Sequence, residues 1–152
     1  MPEGVLIVDD DATMVNLLST ILELEGFSTR KAFSGQEALN LIDGNPPDIV
    51  LLDIMMPGMD GFEVLARLRK NPATEKLPVI MLTAKTDDKD KFEGWKRGAD
   101  EYVTKPFDPL LLVRIIRNVL SRSYEKRLEE RGRHVEFLLE LIQKIEEESS
   151  QE

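Results

Sequence analysis

Asp9-Asp10, Asp53, Thr83 and Lys105 each stand directly after a short stretch of strand-like sequence, at 5–8, 49–52, 79–82 and 101–104. In an open α/β sheet the functional crevice lies beyond the carboxyl ends of the strands, so these positions converge at one edge. Three carboxylates, a hydroxyl and an ammonium then share a small space. Carboxylates so placed raise one another's pKa unless a cation neutralises them. Hard oxygen ligands with open positions suit Mg²⁺, which keeps several waters. Zinc is disfavoured, because the chain has no cysteine and its one histidine, His134, lies far past the last strand. With Lys105 and Thr83 facing the carboxylates, the layout suits a phosphoryl group. A carboxylate can itself be the nucleophile, giving an aspartyl phosphate. Asp53 is the best candidate, central in the sheet and followed by the tight turn Met56-Pro57-Gly58. Asp11 and Asp108, by contrast, read as ordinary helix caps.

The elements that must position these groups alternate along the chain. Apolar runs at 5–8, 27–33, 49–52, 79–82 and 101–104 are each followed by an amphipathic stretch, at 12–25, 35–42, 62–70, 89–97 and from 108 onward. Hydrophobicity is continuous in 5–8, 49–52 and 79–82, which marks strands buried on both faces. The expected fold is α/β, a doubly wound five-stranded parallel sheet with helices on each side. Gly26, Gly44-Asn45-Pro46-Pro47 and Asn71-Pro72 punctuate the boundaries. All eight prolines lie at or before Pro109 and eight of nine glycines before Ala99. A compact domain is therefore expected at 1–122, with a helical extension at 123–152.

Composition narrows the function. The chain has 152 residues, 20 Lys and Arg against 29 Asp and Glu, and a net charge of −9, which repels nucleic-acid phosphates and favours a protein or cation partner. No apolar run approaches the roughly 20 residues a membrane helix needs, and no signal peptide opens the chain. Without cysteine nothing calls for an oxidising compartment, so a cytoplasmic location is expected.

Four blocks carry a family resemblance: Val8-Asp9-Asp10, the run from Leu52-Asp53 through Met56-Pro57-Gly58 to Asp60-Gly61, Leu82-Thr83-Ala84, and Lys105-Pro106-Phe107. In this order and spacing they resemble the receiver domain of two-component response regulators, including the chemotaxis regulators, over residues 3–121. The resemblance implies a flavodoxin-like strand order 2-1-3-4-5. It implies that Asp53 accepts a phosphoryl group from a histidine kinase or phosphotransfer protein. Asp10, Asp53 and the Met55 backbone carbonyl would ligate Mg²⁺, while Asp9 holds a metal-bound water. Lys105 would pair with phosphoryl oxygens, and Lys105-Pro106 would be cis. Thr83 and Tyr102 match the switch pair, in which the hydroxyl moves to the phosphoryl group and the ring swings inward. Met55 and Lys85 occupy the positions that tune hydrolysis in that family, and neither readily acts as an acceptor that orients an attacking water, so slower self-dephosphorylation is expected than with amide or acidic side chains there. The protein would be a signalling switch rather than an enzyme, acting through a downstream protein effector.

Other readings fit less well. A haloacid-dehalogenase-like phosphatase needs a second aspartate where Met55 stands, and no phosphate-binding glycine motif follows any strand. A constitutive docking module, or the N-terminal part of a longer regulator, is compatible with the same blocks. From Leu110 onward the sequence reads as one long helix, with Gly132 a candidate bend. Within it Leu128, Val135 and Ile142 alternate with Tyr124, Leu138 and Ile145 in a heptad stripe interrupted by Arg131. This suggests a short coiled coil and a homodimer interface; the plain alternative is a stripe folded back on the domain's own helices. His134 is read as surface or packing rather than a phosphotransfer histidine. Trp95 and Phe92, on the fourth helix, could be core or partner-facing.

Overall fold

The computed structural model describes residues 2–150; Gln151 and Glu152, the end of the expected extension, lie outside them. Five strands, β1 (Gly4–Val8), β2 (Ser28–Ala32), β3 (Ile49–Leu52), β4 (Val79–Thr83) and β5 (Glu101–Thr104), alternate with α1 (Ala12–Leu24), α2 (Gly35–Gly44), α3 (Gly61–Lys70), α4 (Asp88–Arg97) and α5 (Pro109–Ser121). A further helix, α6, runs over Tyr124–Ser150. All strand pairings are parallel, in the order β2-β1-β3-β4-β5. The doubly wound fold expected from the alternating pattern is the one observed.

The apolar runs explain the layering. β3 and β4 are buried at every residue, and β1 at all but its first. Their side chains feed two cores, one on each face of the sheet. Leu6, Val50, Leu52 and Met81 pack with Val64 and Leu68 of α3. Ile7, Leu51 and Ile80 pack with Leu18 of α1 and Ile116 of α5. β2 and β5 are the more exposed edges.

Each helix starts where a short polar side chain satisfies an orphan N–H group. Asp11, Ser34, Asp60, Asp87 and Asp108 all accept from the first turn of the helix that follows. Asp11 and Asp108 are thus caps, as their isolated positions suggested. α4 ends on Gly98, whose φ of 106° is the left-handed conformation that a side chain disfavours.

The C-terminal segment departs from one continuous helix. Arg122 is extended (φ −85°, ψ 141°), which closes α5, and the Ser123 hydroxyl accepts from the Lys126 N–H to open α6. The chain turns there, while Gly132 lies within an uninterrupted helix. α6 is about 40 Å long at 1.5 Å per residue, and it lies antiparallel against α4: Trp95 late in α4 stacks on His134, while Lys89 early in α4 pairs with Glu146 at 3.5 Å. Leu138, in the middle of α6 between these two contacts, is buried, a contribution of about 1.5–3 kcal/mol. Leu128 and Ile145 of the heptad stripe remain exposed, and Arg131, which interrupts that stripe, is buried.

Arg131 and Arg127 converge on Asp100, whose side chain is fully buried. Arg127 Nη1 donates to Asp100 Oδ1 at 3.0 Å and Arg131 Nη2 at 2.8 Å. Arg69 from the end of α3 reaches Oδ2 at 3.3 Å and also donates to the carbonyls of Gly98 and Leu77. The backbone N–H of Val79 donates to the same oxygen at 2.9 Å. Burial and the neighbouring Arg131 push Arg69 down to about 10. Stacking of the sheet edge, α3 and α6 around one carboxylate fixes where α6 begins.

Candidate functional site

The parallel register brings the reactive side chains together. Val8 pairs with Leu52, and the ladder continues as the Asp53 N–H donates to the Val8 carbonyl at 3.0 Å, so Asp9 and Asp53 emerge side by side. Thr83 pairs with Thr104, and the Lys105 N–H donates to the Thr83 carbonyl at 2.8 Å. Asp9, Asp53 and Lys105 therefore leave the same sheet edge one residue beyond their strands, Asp10 two beyond, and Thr83 at its strand's last residue. The Lys105–Pro106 peptide is cis.

Lys105 Nζ lies 2.6 Å from Asp9 Oδ2 and 3.2 Å from Asp53 Oδ2, bridging the two carboxylates. Asp9 and Asp53 are buried, whereas Asp10 is exposed. Burial pushes the Asp9 carboxyl up and the charge of Asp53 adds to this, although Lys105 and the Asp11 N–H oppose it. Burial works against the charge of Lys105, but the bond to Asp9 and the charges of Asp53 and Asp9 outweigh it, and its pKa rises. One ammonium thus shares two carboxylates, leaving negative charge uncompensated. Asp9, Asp10 and Asp53 each offer an oxygen, and these atoms lie within 4.8 Å of one another. An all-oxygen set, open to water through Asp10, fits a hard divalent cation such as Mg²⁺.

The turn after β3 is held to the site. The Met55 N–H donates to Asp53 Oδ1 at 3.2 Å. Gly61 is required by packing: a Cβ there would stand 2.2 Å from the Asp53 carbonyl oxygen. α3 therefore starts hard against the strand end that carries Asp53.

Thr83 is fully buried, and its hydroxyl accepts from the Lys85 N–H at 3.4 Å. The Tyr102 hydroxyl donates to the Lys85 carbonyl at 2.8 Å. Its ring points inward against α4, 3.0 Å from where a Cβ on Gly94 would be. Burial pushes the Tyr102 phenol up, and Asp90, Asp53 and Asp87 add to the effect. Thr83 and Tyr102 are thus linked through the backbone of Lys85.

Sequence reasoning passed over two contributors, the Lys85 carbonyl and Gly94. A backbone acceptor leaves no side-chain signature; Gly94, a glycine inside a helical pattern, was the available signal. His134 is on α6, outside the acidic cluster, and stacks on Trp95 of α4 with ring centroids 3.9 Å apart and planes within 5°. No helix among the described residues is long and apolar enough to cross a membrane.

Residues 5–117 match the response regulator receiver domain family. The chain is 43% identical over 122 residues to the regulatory protein VanRc of Enterococcus gallinarum, covering 80% of this chain and 52% of that protein. It is 42% identical over 125 residues to the response regulator GtcR of Aneurinibacillus migulanus, covering 82% and 50% respectively. The chain thus spans about half the length of these curated relatives. Among solved structures, the receiver domain of Francisella response regulator 1452 is 39% identical with a TM-score of 0.74, covering 79% of this chain and 98% of that one. The chemotaxis response regulator CheY4 of Vibrio cholerae is 32% identical with a TM-score of 0.74, covering 78% and 99%. A match across the whole sheet and its five flanking helices, joined to an acidic edge held by Lys105, means that the chain belongs to the response regulator receiver domain family.

Proposed function

We propose that this receiver is switched by phosphorylation of Asp53. The observation that carries the reading is the Lys105 ammonium bridging Asp9 and Asp53 beside an exposed Asp10. One Asp53 carboxylate oxygen attacks the phosphorus of a partner's phosphohistidine; the P–N bond breaks and the imidazole nitrogen leaves with its electron pair. Lys105, freed from sharing both carboxylates, turns to the incoming phosphoryl oxygens and offsets their charge. Asp10, Asp53 and the Met55 carbonyl are the groups that would hold Mg²⁺, with Asp9 ordering a water beside it. Bound there, Mg²⁺ supplies charge neutralisation to the phosphoryl oxygens. The Thr83 hydroxyl then moves from the Lys85 N–H to a phosphoryl oxygen, and the inward Tyr102 ring is favoured.

Histidine kinases supply such phosphoryl groups to response regulators, and the acidic surface and absence of a membrane-length helix among the described residues fit a cytoplasmic protein partner. We assign neither a nucleic-acid nor a membrane role to this chain. Self-hydrolysis is slow, since neither Met55 nor Lys85 offers an acceptor that would orient an attacking water. The acyl phosphate can be mapped directly. After incubation with acetyl phosphate and Mg²⁺, borohydride reduction converts a phosphorylated aspartate to homoserine, which peptide mass analysis places at Asp53. Homoserine at another aspartate, or at none, contradicts the assignment.

A further inference from the structure

α6 lies on α4, and α4 rests on the residue that the proposed switch moves. Because Gly94 has no side chain, the Tyr102 ring abuts the α4 backbone itself. The adjacent residue, Trp95, is buried and turns to the other side of the helix, where it stacks on His134 of α6. The Tyr102 hydroxyl meanwhile fixes the Lys85 carbonyl in the loop that leads into α4. A continuous packed path thus runs from Thr83 through Lys85 and Tyr102 to the α4 face that α6 covers.

We propose that the docking of α6 reads the position of Tyr102, so that phosphorylation of Asp53 tightens α6 against α4. The direction of the effect follows from what the structure holds together: with α6 docked, Tyr102 is inward and bonded to Lys85. A ring that leaves this place removes the support under Gly94 and shifts the surface carrying Trp95. The Asp100 cluster anchors the start of α6 independently of the switch, since its three arginines meet the opposite end of the sheet. The coupling therefore acts on the stretch from His134 to Glu146, which lies beyond the Asp100 cluster and carries the Trp95 stack, buried Leu138, half-buried Val135, Leu141 and Ile142, and the exposed Lys89–Glu146 pair. This inference rests on the phosphorylation reading of Asp53, and it assigns the C-terminal helix as the element through which that state is displayed. At equilibrium the coupling is reciprocal: what loosens α6 also disfavours the inward Tyr102 that the phosphorylated state favours.

The test is amide hydrogen exchange of residues 134–146 in the full chain, with and without acetyl phosphate and Mg²⁺, and with intact mass read on the same samples. In the reaction Asp53 displaces acetate from the phosphoryl group, so the mass reports the chemistry separately from the coupling. Exchange in this stretch is expected to slow at least about fivefold in the phosphorylated protein, and Asp53→Asn is expected to show no change. Leu138→Lys, which places a charge at a buried position of α6, is expected to speed exchange in this stretch. A mass gain with unchanged or faster exchange overturns the coupling. Absence of the mass gain overturns the phosphorylation reading, and Tyr102→Ala then decides the coupling alone. That variant must speed exchange in residues 134–146 at least about fivefold while α1 stays protected; equal exchange overturns the proposal.

Discussion

Replacing Asp100 by alanine removes the carboxylate that, among the described residues, pairs with all three guanidiniums of Arg69, Arg127 and Arg131. The side chain is fully buried, and Arg127 and Arg131 beside it are nearly so. Arg69 keeps its carbonyl partners at Gly98, Thr74 and Leu77, and Arg127 keeps the Lys76 carbonyl, but Arg131 loses every bond the structure gives it. The Val79 N–H is also orphaned. Removing one partner of a buried ion pair costs about 3–5 kcal/mol, because the charges left behind stay desolvated. Against a total stability of roughly 5–15 kcal/mol that is a large fraction. With a urea slope of about 2 kcal/mol per molar, the unfolding midpoint falls by about 2 M. Urea denaturation followed by circular dichroism and by the fluorescence of Trp95, the only tryptophan, measures it. Arg131→Met is the control: Asp100 keeps Arg69 and Arg127 as partners, and the loss is expected to stay below about 1.5 kcal/mol. A midpoint shift under about 0.5 M for Asp100→Ala, or equal shifts for both variants, refutes the argument that this carboxylate holds the cluster together.

Further outcomes follow from the site. Gly61→Ala forces a methyl onto the Asp53 carbonyl, so it should destabilise the fold by at least about 1–3 kcal/mol in thermal unfolding and slow phosphorylation of Asp53. Asp9 has its pKa raised in the folded state, so the ionised acidic edge is a net cost above that pKa; added Mg²⁺ should raise the melting temperature at pH 7, and Asp9→Asn should reduce that increase. Lys105 and Tyr102 both titrate higher folded than unfolded, where their values are 10.5 and 10.0; the stability they contribute is full below those values and is lost as pH rises above them. Lys105→Met and Tyr102→Phe should each flatten the alkaline limb of a stability–pH curve, with Arg69, lowered to about 10, acting in the opposite direction.

The central strands were legible because β1, β3 and β4 are buried on both faces, so their sequence has nothing to alternate with. β5 was legible for a different reason: its run is short and half-buried, but Lys105-Pro106 closes it. The residues beyond those strands could be listed together from sequence because parallel register aligns strand ends, and the structure does bring Asp9, Asp10, Asp53 and Lys105 to one place. The course of the C-terminal segment was not legible. Nothing in Arg122-Ser123 breaks a helix by composition, and only Ser123 as a cap hinted at a new start. Periodicity counted Arg131 as a flaw in an apolar stripe, whereas it lies at the centre of the buried face because Asp100, 31 residues away, neutralises it. A heptad pattern reports which residues share a helix face, and it is silent on whether the surface opposite is another chain or, as here, α4.

The proposed function stands on transfer of a phosphoryl group to Asp53 at the acidic edge held by Lys105. Intact mass before and after incubation with acetyl phosphate tests it most directly, with Asp53→Asn and a chelated sample alongside. The native protein with Mg²⁺ is expected to gain one phosphoryl group, with no gain in Asp53→Asn or without the metal. An equal gain in Asp53→Asn, or none in the native protein, would contradict it.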